Sequence, residues 1–229
     1  MYYNDYSKGG KNMPDFSEYF VRETYRIISA SYYKIMNCLT DRMQNEFINK
    51  IADNWASPDA YKFFREQVKP RMDDLIIYFR DRFYWIVDNF NDAQISWWYN
   101  DPDTYGTRNG FSYMDDEERR INVDFIKKDF DGTIAMDVDN INDALNSFNG
   151  IIDSINGYLD DTQREINTNC FMWNDSYDNS CSFIGQMRNI LYDDSTSIIS
   201  VIKNKVYNDR DSYIRAAERN RESFELSEE

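Results

Sequence analysis

The chain has 229 residues, a formal net charge of −15 and no histidine. The absence of histidine excludes a Ser-His-Asp triad, a Cys-His pair and a histidine-based zinc site, and so negative a surface disfavours binding to nucleic acid or to an anionic membrane. Only 8 Gly and 4 Pro are present, too few for the turns of an all-β protein of this size, which favours long helices.

Residues 1–14 are polar, contain Gly9, Gly10 and Pro14, and are predicted to form a disordered lead. They lack the apolar stretch of a Sec-type signal peptide. No run of 18 apolar residues occurs in the chain, so we expect no membrane insertion. The expected localisation is therefore synthesis in the cytoplasm, with any export following a route that needs no Sec-type signal.

Residues 15–98 are predicted to form a first helical hairpin. Asp15 suits an N-cap, and a periodic apolar face then continues to about Asn54. Ser57 and Pro58 suit the start of a second helix, in which Pro70 should produce a bend or a break. The apolar face of the first helix comprises Ile28, Tyr32, Ile35, Met36, Leu39, Met43, Phe47, Ile48 and Ile51.

Residues 99–136 are predicted to form a linker with uncertain short elements, because Ile121, Val123 and Phe125 alternate and residues 133–136 suit a short strand. Residues 137–225 are predicted to form a second hairpin, whose two helices are separated by a break near residues 170–179. One hairpin buries only one side of each helix. The predicted fold is therefore all-α, an antiparallel four-helix bundle built from two long helical hairpins.

Each of the two predicted turns contains a tryptophan, and these turns resemble those of a known protein family. Trp55-Ala56-Ser57 marks the first turn and Trp173-Asn174-Asp175 the second, and residues 134–141 are similar to a characteristic helix opening. The layout resembles a tandem of WXG-type hairpins, the small helical proteins exported by type VII secretion systems. Ser57 and Asp175 occupy the position at which that family has glycine. The resemblance implies a protein partner, either the secretion machinery or a co-secreted protein.

The export signal of that family is a Tyr-x-x-x-Asp/Glu motif near the end of the second hairpin helix. Tyr207 and Asp211 match it at that place, and Tyr84 with Asp88 match it in the first half. Residues four apart share one face of a helix, so a partner can read both side chains together. Position alone distinguishes Tyr207 and Asp211 from other Tyr and acidic pairs of this spacing, such as Tyr99 with Asp103.

The cysteines allow two interpretations. Cys170 and Cys181 flank the second turn and would lie level with each other across an antiparallel hairpin, which suits a disulfide in an exported protein. Alternatively, both are small buried apolar side chains.

The chain also has more aromatic side chains than one apolar stripe can hold, which indicates either an interface or a larger core. These are Tyr32, Tyr33, Tyr78, Trp85, Trp97 and Trp98.

We expect no catalytic residues, no cofactor and no metal site. The predicted function is that of a non-enzymatic, protein-binding helical bundle associated with type VII secretion, as a substrate or an escort. The alternative is an acidic binding or immunity-type protein that blocks a basic partner, as the net charge suggests. An enzyme that uses carboxylates alone and a helical assembly protein are further alternatives, and the sequence leaves the oligomeric state open.

Overall fold

The computed structural model describes residues 18–100, 119–124, 134–169, 175–192 and 198–225. The first long helix comprises α1 (Glu18–Asn37), a π-helical segment (Cys38–Ile48) and α2 (Asn49–Asn54), without interruption. Every member of its predicted apolar face is buried. The proposed cap Asp15 lies outside the described residues.

A short turn separates this helix from the second long helix. Strand β1 (Trp55–Ala56) is followed by α3 (Pro58–Phe63), a second π-helical segment (Phe64–Val68) and α4 (Lys69–Asn100). Pro70 is the second residue of α4, where the π-helical geometry gives way to α-helix, so the helical path changes type there and does not break. Because Pro has no N–H group, it removes one helical hydrogen bond at this place.

The two long helices are antiparallel. The ring of Tyr32 lies 5.7 Å from that of Phe83, midway along the hairpin, and the ring of Trp55 lies 5.8 Å from that of Phe63 at its closed end. A turn this short forces the chain back along itself, so the two apolar faces meet.

The second half begins with β2 (Ala135–Met136) and continues with α5 (Val138–Asn169), α6 (Asp175–Tyr192) and α7 (Ile198–Glu225). The sequence predicted a single fourth helix here; the structure describes α6 and α7, and residues 193–197 between them lie outside the described residues. Both run antiparallel to α5: Arg188 bonds Gln163 near one end of α5, and Arg210 bonds Asn142 near the other.

The two hairpins pack into one bundle in which neighbouring helices are antiparallel. The first long helix packs on α5, and α4 packs on α6. The ring of Phe47 lies 4.6 Å from that of Phe148 at the first contact, and Trp85 lies 5.3 Å from Phe183 at the second. Strands β1 and β2 pair at one end, with Trp55 opposite Met136. The all-α prediction is confirmed.

Within the described ranges, no helix combines the length and the apolar character needed to cross a membrane.

Candidate protein-binding site

The first turn is held by a cap, a backbone bond and a buried ring. The Ser57 hydroxyl accepts a 3.0 Å hydrogen bond from the Ala60 N–H, which is the N-cap arrangement. Ser57 has φ −160° and ψ 159°, an extended conformation that any residue adopts, so the turn does not need glycine at this position. The Asp137 N–H donates to the Asn54 carbonyl at 2.9 Å, tying the turn to the start of α5.

Trp55 is 6% exposed, so the ring that marks the first turn is part of the core and not of a binding surface. Its ring packs against Phe63 and Phe64, which lie one turn into the second long helix. The tryptophan therefore closes one end of the bundle, and a partner would contact the turn through other side chains.

The second turn falls largely outside the described residues, which include neither Trp173 nor Cys170. Asp175 is the first residue of α6. Cys181 is half-buried on α6, and its Sγ lies 3.6 Å from Oδ1 of Asn167 on α5. The disulfide between Cys170 and Cys181 remains a prediction.

The proposed export signal lies on α7, with Arg210 between its two members. The guanidinium of Arg210 stacks over the ring of Tyr207, with Cζ 4.7 Å from the ring centroid. The same guanidinium bonds the Asp211 carboxylate at 2.8 and 2.6 Å and donates to Asn142 on α5 at 2.7 Å. Tyr207 is partly buried against the core, whereas Asp211 is exposed. The acidic member is thus the more accessible one.

Helix α7 continues beyond this point with side chains that face solvent on every side. All residues from Arg215 to Arg221 are exposed, whereas α5, against which α7 packs, begins at Val138, four residues before Asn142. A helix rises about 1.5 Å per residue, so the exposed turns extend past the start of α5. The end of α7 therefore presents a helical surface that the bundle does not cover.

An aromatic cluster with an arginine at its centre lies on the groove between α4 and α6. The guanidinium of Arg82 stacks over the rings of Tyr78 and Trp85, with Cζ 4.4 and 4.0 Å from their centroids, and Trp85 packs on Phe183. Trp85 remains 44% exposed. Tyr32 belongs to the core and Tyr33 is 39% exposed, so the surplus aromatics divide between core and surface; the side chains of Trp97 and Trp98 are outside the described part.

The outward face of α5 is acidic. Arg164 is the only basic residue from 134 to 169. Asp160 pairs with Arg188 and Asp161 with Arg164. The exposed acidic residues of this stretch are Asp137, Asp139, Asp143, Asp153 and Asp160. A basic partner would be attracted to this face.

Residues 119–124, called here the docked segment, occupy the groove between the first long helix and α4. Ile121 and Val123 are 1% and 2% exposed, whereas Asn122 faces solvent. The alternation is visible in the sequence, but its place in the bundle is not. The alternation was the available signal, because a segment that lies on a helical groove buries every second side chain just as a strand does.

No described group of three or more Cys, Asp or Glu side chains is arranged to hold a metal ion.

The thiol of Cys38 is buried where the first long helix faces α5. Burial raises the pKa of this thiol, so it stays protonated at neutral pH.

In comparisons with known proteins, no family model, no curated protein and no solved structure matches this chain.

Proposed function

We propose that this protein is a non-enzymatic, protein-binding helical bundle that a type VII secretion system handles, as a substrate or as an escort for one. The observation that carries the proposal is the position of Tyr207 and Asp211, at the place where α7 leaves the cover of α5. A recognition signal has to be accessible on a structured helix, and on α7 Asp211 is exposed while Tyr207 keeps part of its surface accessible.

The arrangement around Arg210 supports this role. Stacking on Tyr207 and pairing with Asp211 hold both side chains on one side of the helix. Side chains whose positions are already restricted lose less conformational entropy when a partner binds them. The hairpin architecture, with Trp55 at a tight turn, supports the same proposal by resemblance.

Secretion of single-residue variants tests the proposal. In a host with an active type VII system, Asp211→Ala should lower the amount of protein in the culture supernatant at least tenfold. Glu218→Ala is the matched control, because Glu218 is also an exposed carboxylate on α7 and its removal changes the net charge equally. Equal secretion of the two variants, or no secretion of the unaltered protein, would refute the role of this signal.

A second candidate function is favoured by the acidic outer face of α5: binding to a basic site on another protein. Exposed carboxylates at Asp139, Asp143 and Asp153 would raise the association rate with a basic surface, and salt would lower it. The corresponding experiment measures how well two variants capture a basic partner. Asp143→Asn removes a carboxylate of the acidic face, and the control Asp124→Asn removes an exposed carboxylate of the docked segment. This candidate is rejected if the two variants bind alike at low salt.

A further inference from the structure

The docked segment is held by its main chain, through side chains of the two helices that form its groove. The Gln44 carboxamide makes two bonds to Asn122: its Nε2 donates to the carbonyl at 2.9 Å, and its Oε1 accepts from the N–H at 2.8 Å. On the opposite wall, Lys69 Nζ donates to the Ile121 carbonyl at 2.7 Å, and Asp73 Oδ1 accepts from the Ile121 N–H at 3.3 Å.

Lys69 and Asp73 also pair with each other, with Nζ 3.2 Å from Oδ2. This ion pair acts like one peptide unit, since it offers a donor and an acceptor side by side. The Gln44 carboxamide on the facing helix does the same. Both walls of the groove therefore imitate the edge of a neighbouring strand.

The side chains of the docked segment supply the apolar part of the contact. Ile121 and Val123 are buried in the groove, while Asn122 points outward and uses its carboxamide oxygen to accept from the Asp124 N–H. Main-chain bonds combined with pockets for alternate side chains are the features by which proteins recognise extended peptides.

The groove is built by the first hairpin alone. Gln44 lies in the π-helical segment Cys38–Ile48, and Lys69 and Asp73 lie in the first turns of α4. None of the three belongs to the segment that they hold. The groove therefore does not need the docked segment to define its walls.

We propose that this groove is a peptide-binding site that the chain fills with its own residues, and that an extended segment of a partner protein can take the same place. The partner segment carries two aliphatic side chains separated by one residue. A basic residue precedes the first of them, as Arg119 and Arg120 precede Ile121, which suits a protein with a net charge of −15. This site is separate from α7, so the proposal does not depend on the export signal.

The test uses a synthetic peptide with the sequence of residues 117–126 and a full-length variant, Ile121→Ser with Val123→Ser, whose own segment no longer fills the groove. Calorimetry should show that the peptide binds the variant at least tenfold more tightly than the unaltered protein. A peptide with Pro in place of Asn122, which lacks the N–H that Gln44 accepts, should bind at least tenfold more weakly. Equal affinity for both proteins, or for both peptides, would overturn the proposal.

Two variants in the emptied background separate the groove from its surroundings. Gln44→Ala should weaken peptide binding at least fivefold, whereas Asn45→Ala, which removes a neighbouring exposed carboxamide, should leave it unchanged. If both act alike, the Gln44 contact does not recognise the peptide.

Hydrogen exchange of the unaltered protein provides a measurement that needs no variant. If the docked segment leaves the groove while the bundle stays folded, the Ile121 and Asn122 amides should exchange at least 100-fold faster than those of Ile152 and Ile155 in α5. Exchange of all four at one rate would show that the segment leaves only on global unfolding, and would overturn the proposal. Light scattering that shows a dimer would also overturn the proposal if exchange of docked segments holds the two copies together, because the groove would then bind a second copy of this chain.

Discussion

Both hairpins bury the apolar faces of their helices, but they do so with different side chains. The first buries Tyr32, Phe47, Phe63, Phe64, Phe79, Phe83 and Phe90. The second buries mainly aliphatic side chains, and Phe148 is the ring that it contributes to the largest fully buried residues. Both π-helical segments of the described chain lie in the first hairpin, whereas α5, α6 and α7 are regular α-helices.

The greater number of buried rings and the irregular helix geometry thus occur in the same hairpin. A π-helical turn displaces the side chains that follow it relative to a regular α-helix, and such turns are frequent at functional sites. The segment Cys38–Ile48 carries Gln44 on one wall of the groove, and the segment Phe64–Val68 ends directly before Lys69 on the other wall. The hairpin that contains the π-helical segments therefore also contains the groove, whereas the described helices of the second hairpin are regular α-helices.

The largest expected effect comes from the ring at which the hairpins meet. Phe47→Ala should lower the free energy of unfolding by about 3–5 kcal/mol, because it opens a cavity beside Phe148. Urea unfolding followed by circular dichroism measures the loss. Phe183→Ala is the control, since that ring is only partly buried; an equal loss in both variants would show that the Phe47 contact does not join the hairpins in this way.

A smaller effect is expected at the first turn. Ser57→Ala removes the acceptor for the Ala60 N–H and should cost about 1 kcal/mol of unfolding free energy. Ser57→Asp keeps a capping oxygen and should retain most of the stability. Thermal unfolding of the two variants would contradict the assigned cap if alanine proved no worse than aspartate.

The smallest effect concerns an ion pair on the first long helix. Arg42 bonds the Glu46 carboxylate at 2.8 and 3.1 Å and lowers the pKa of that carboxyl. Because the folded pKa lies below the unfolded value of about 4.3, the pair stabilises the protein above that pH. Its contribution is lost as the pH falls through the folded pKa.

Glu46 is 38% exposed, so solvent screening keeps this contribution to about 0.5 kcal/mol or less. Glu46→Gln should therefore be slightly less stable than the unaltered protein at pH 7, and this difference should shrink as the pH falls below about 4, as judged by urea midpoints. A difference that persists or grows at pH 3 would contradict the sign of this assignment.

Helical periodicity was enough to predict the all-α fold. The apolar faces of the first long helix and of α5 follow steps of three and four residues, and burial follows those faces. Ser57 also carried a local signal, because a hydroxyl before proline suits a helix start wherever the chain is placed.

The π-helical segments and the docked segment could not be predicted in the same way. The spacing of apolar residues that indicates a helix does not distinguish a π-helical segment from the α-helix around it. The positions of Ile121 and Asn122 depend on bonds to Gln44, Lys69 and Asp73, and the bonded residues are 48 to 78 positions apart in the chain.

The free energy that residues 119–124 gain by docking is small, and their alternating pattern in the sequence is correspondingly weak. Two buried aliphatic side chains contribute about 1.5–3 kcal/mol each, and four hydrogen bonds about 1 kcal/mol each. Ordering six residues costs about 1–2 kcal/mol each. The favourable and unfavourable terms are of similar size, so the segment contributes little net free energy by itself.

Secretion of the unaltered protein tests the central claim most directly, because the claim is that this bundle acts by being recognised by other proteins. The protein should be expressed in a host with a type VII system, once with its ATPase active and once with the ATPase inactivated, and quantified in cells and supernatant. The account predicts accumulation in the supernatant only when the ATPase is active. Retention in the cells under both conditions, or equal release under both, would contradict it.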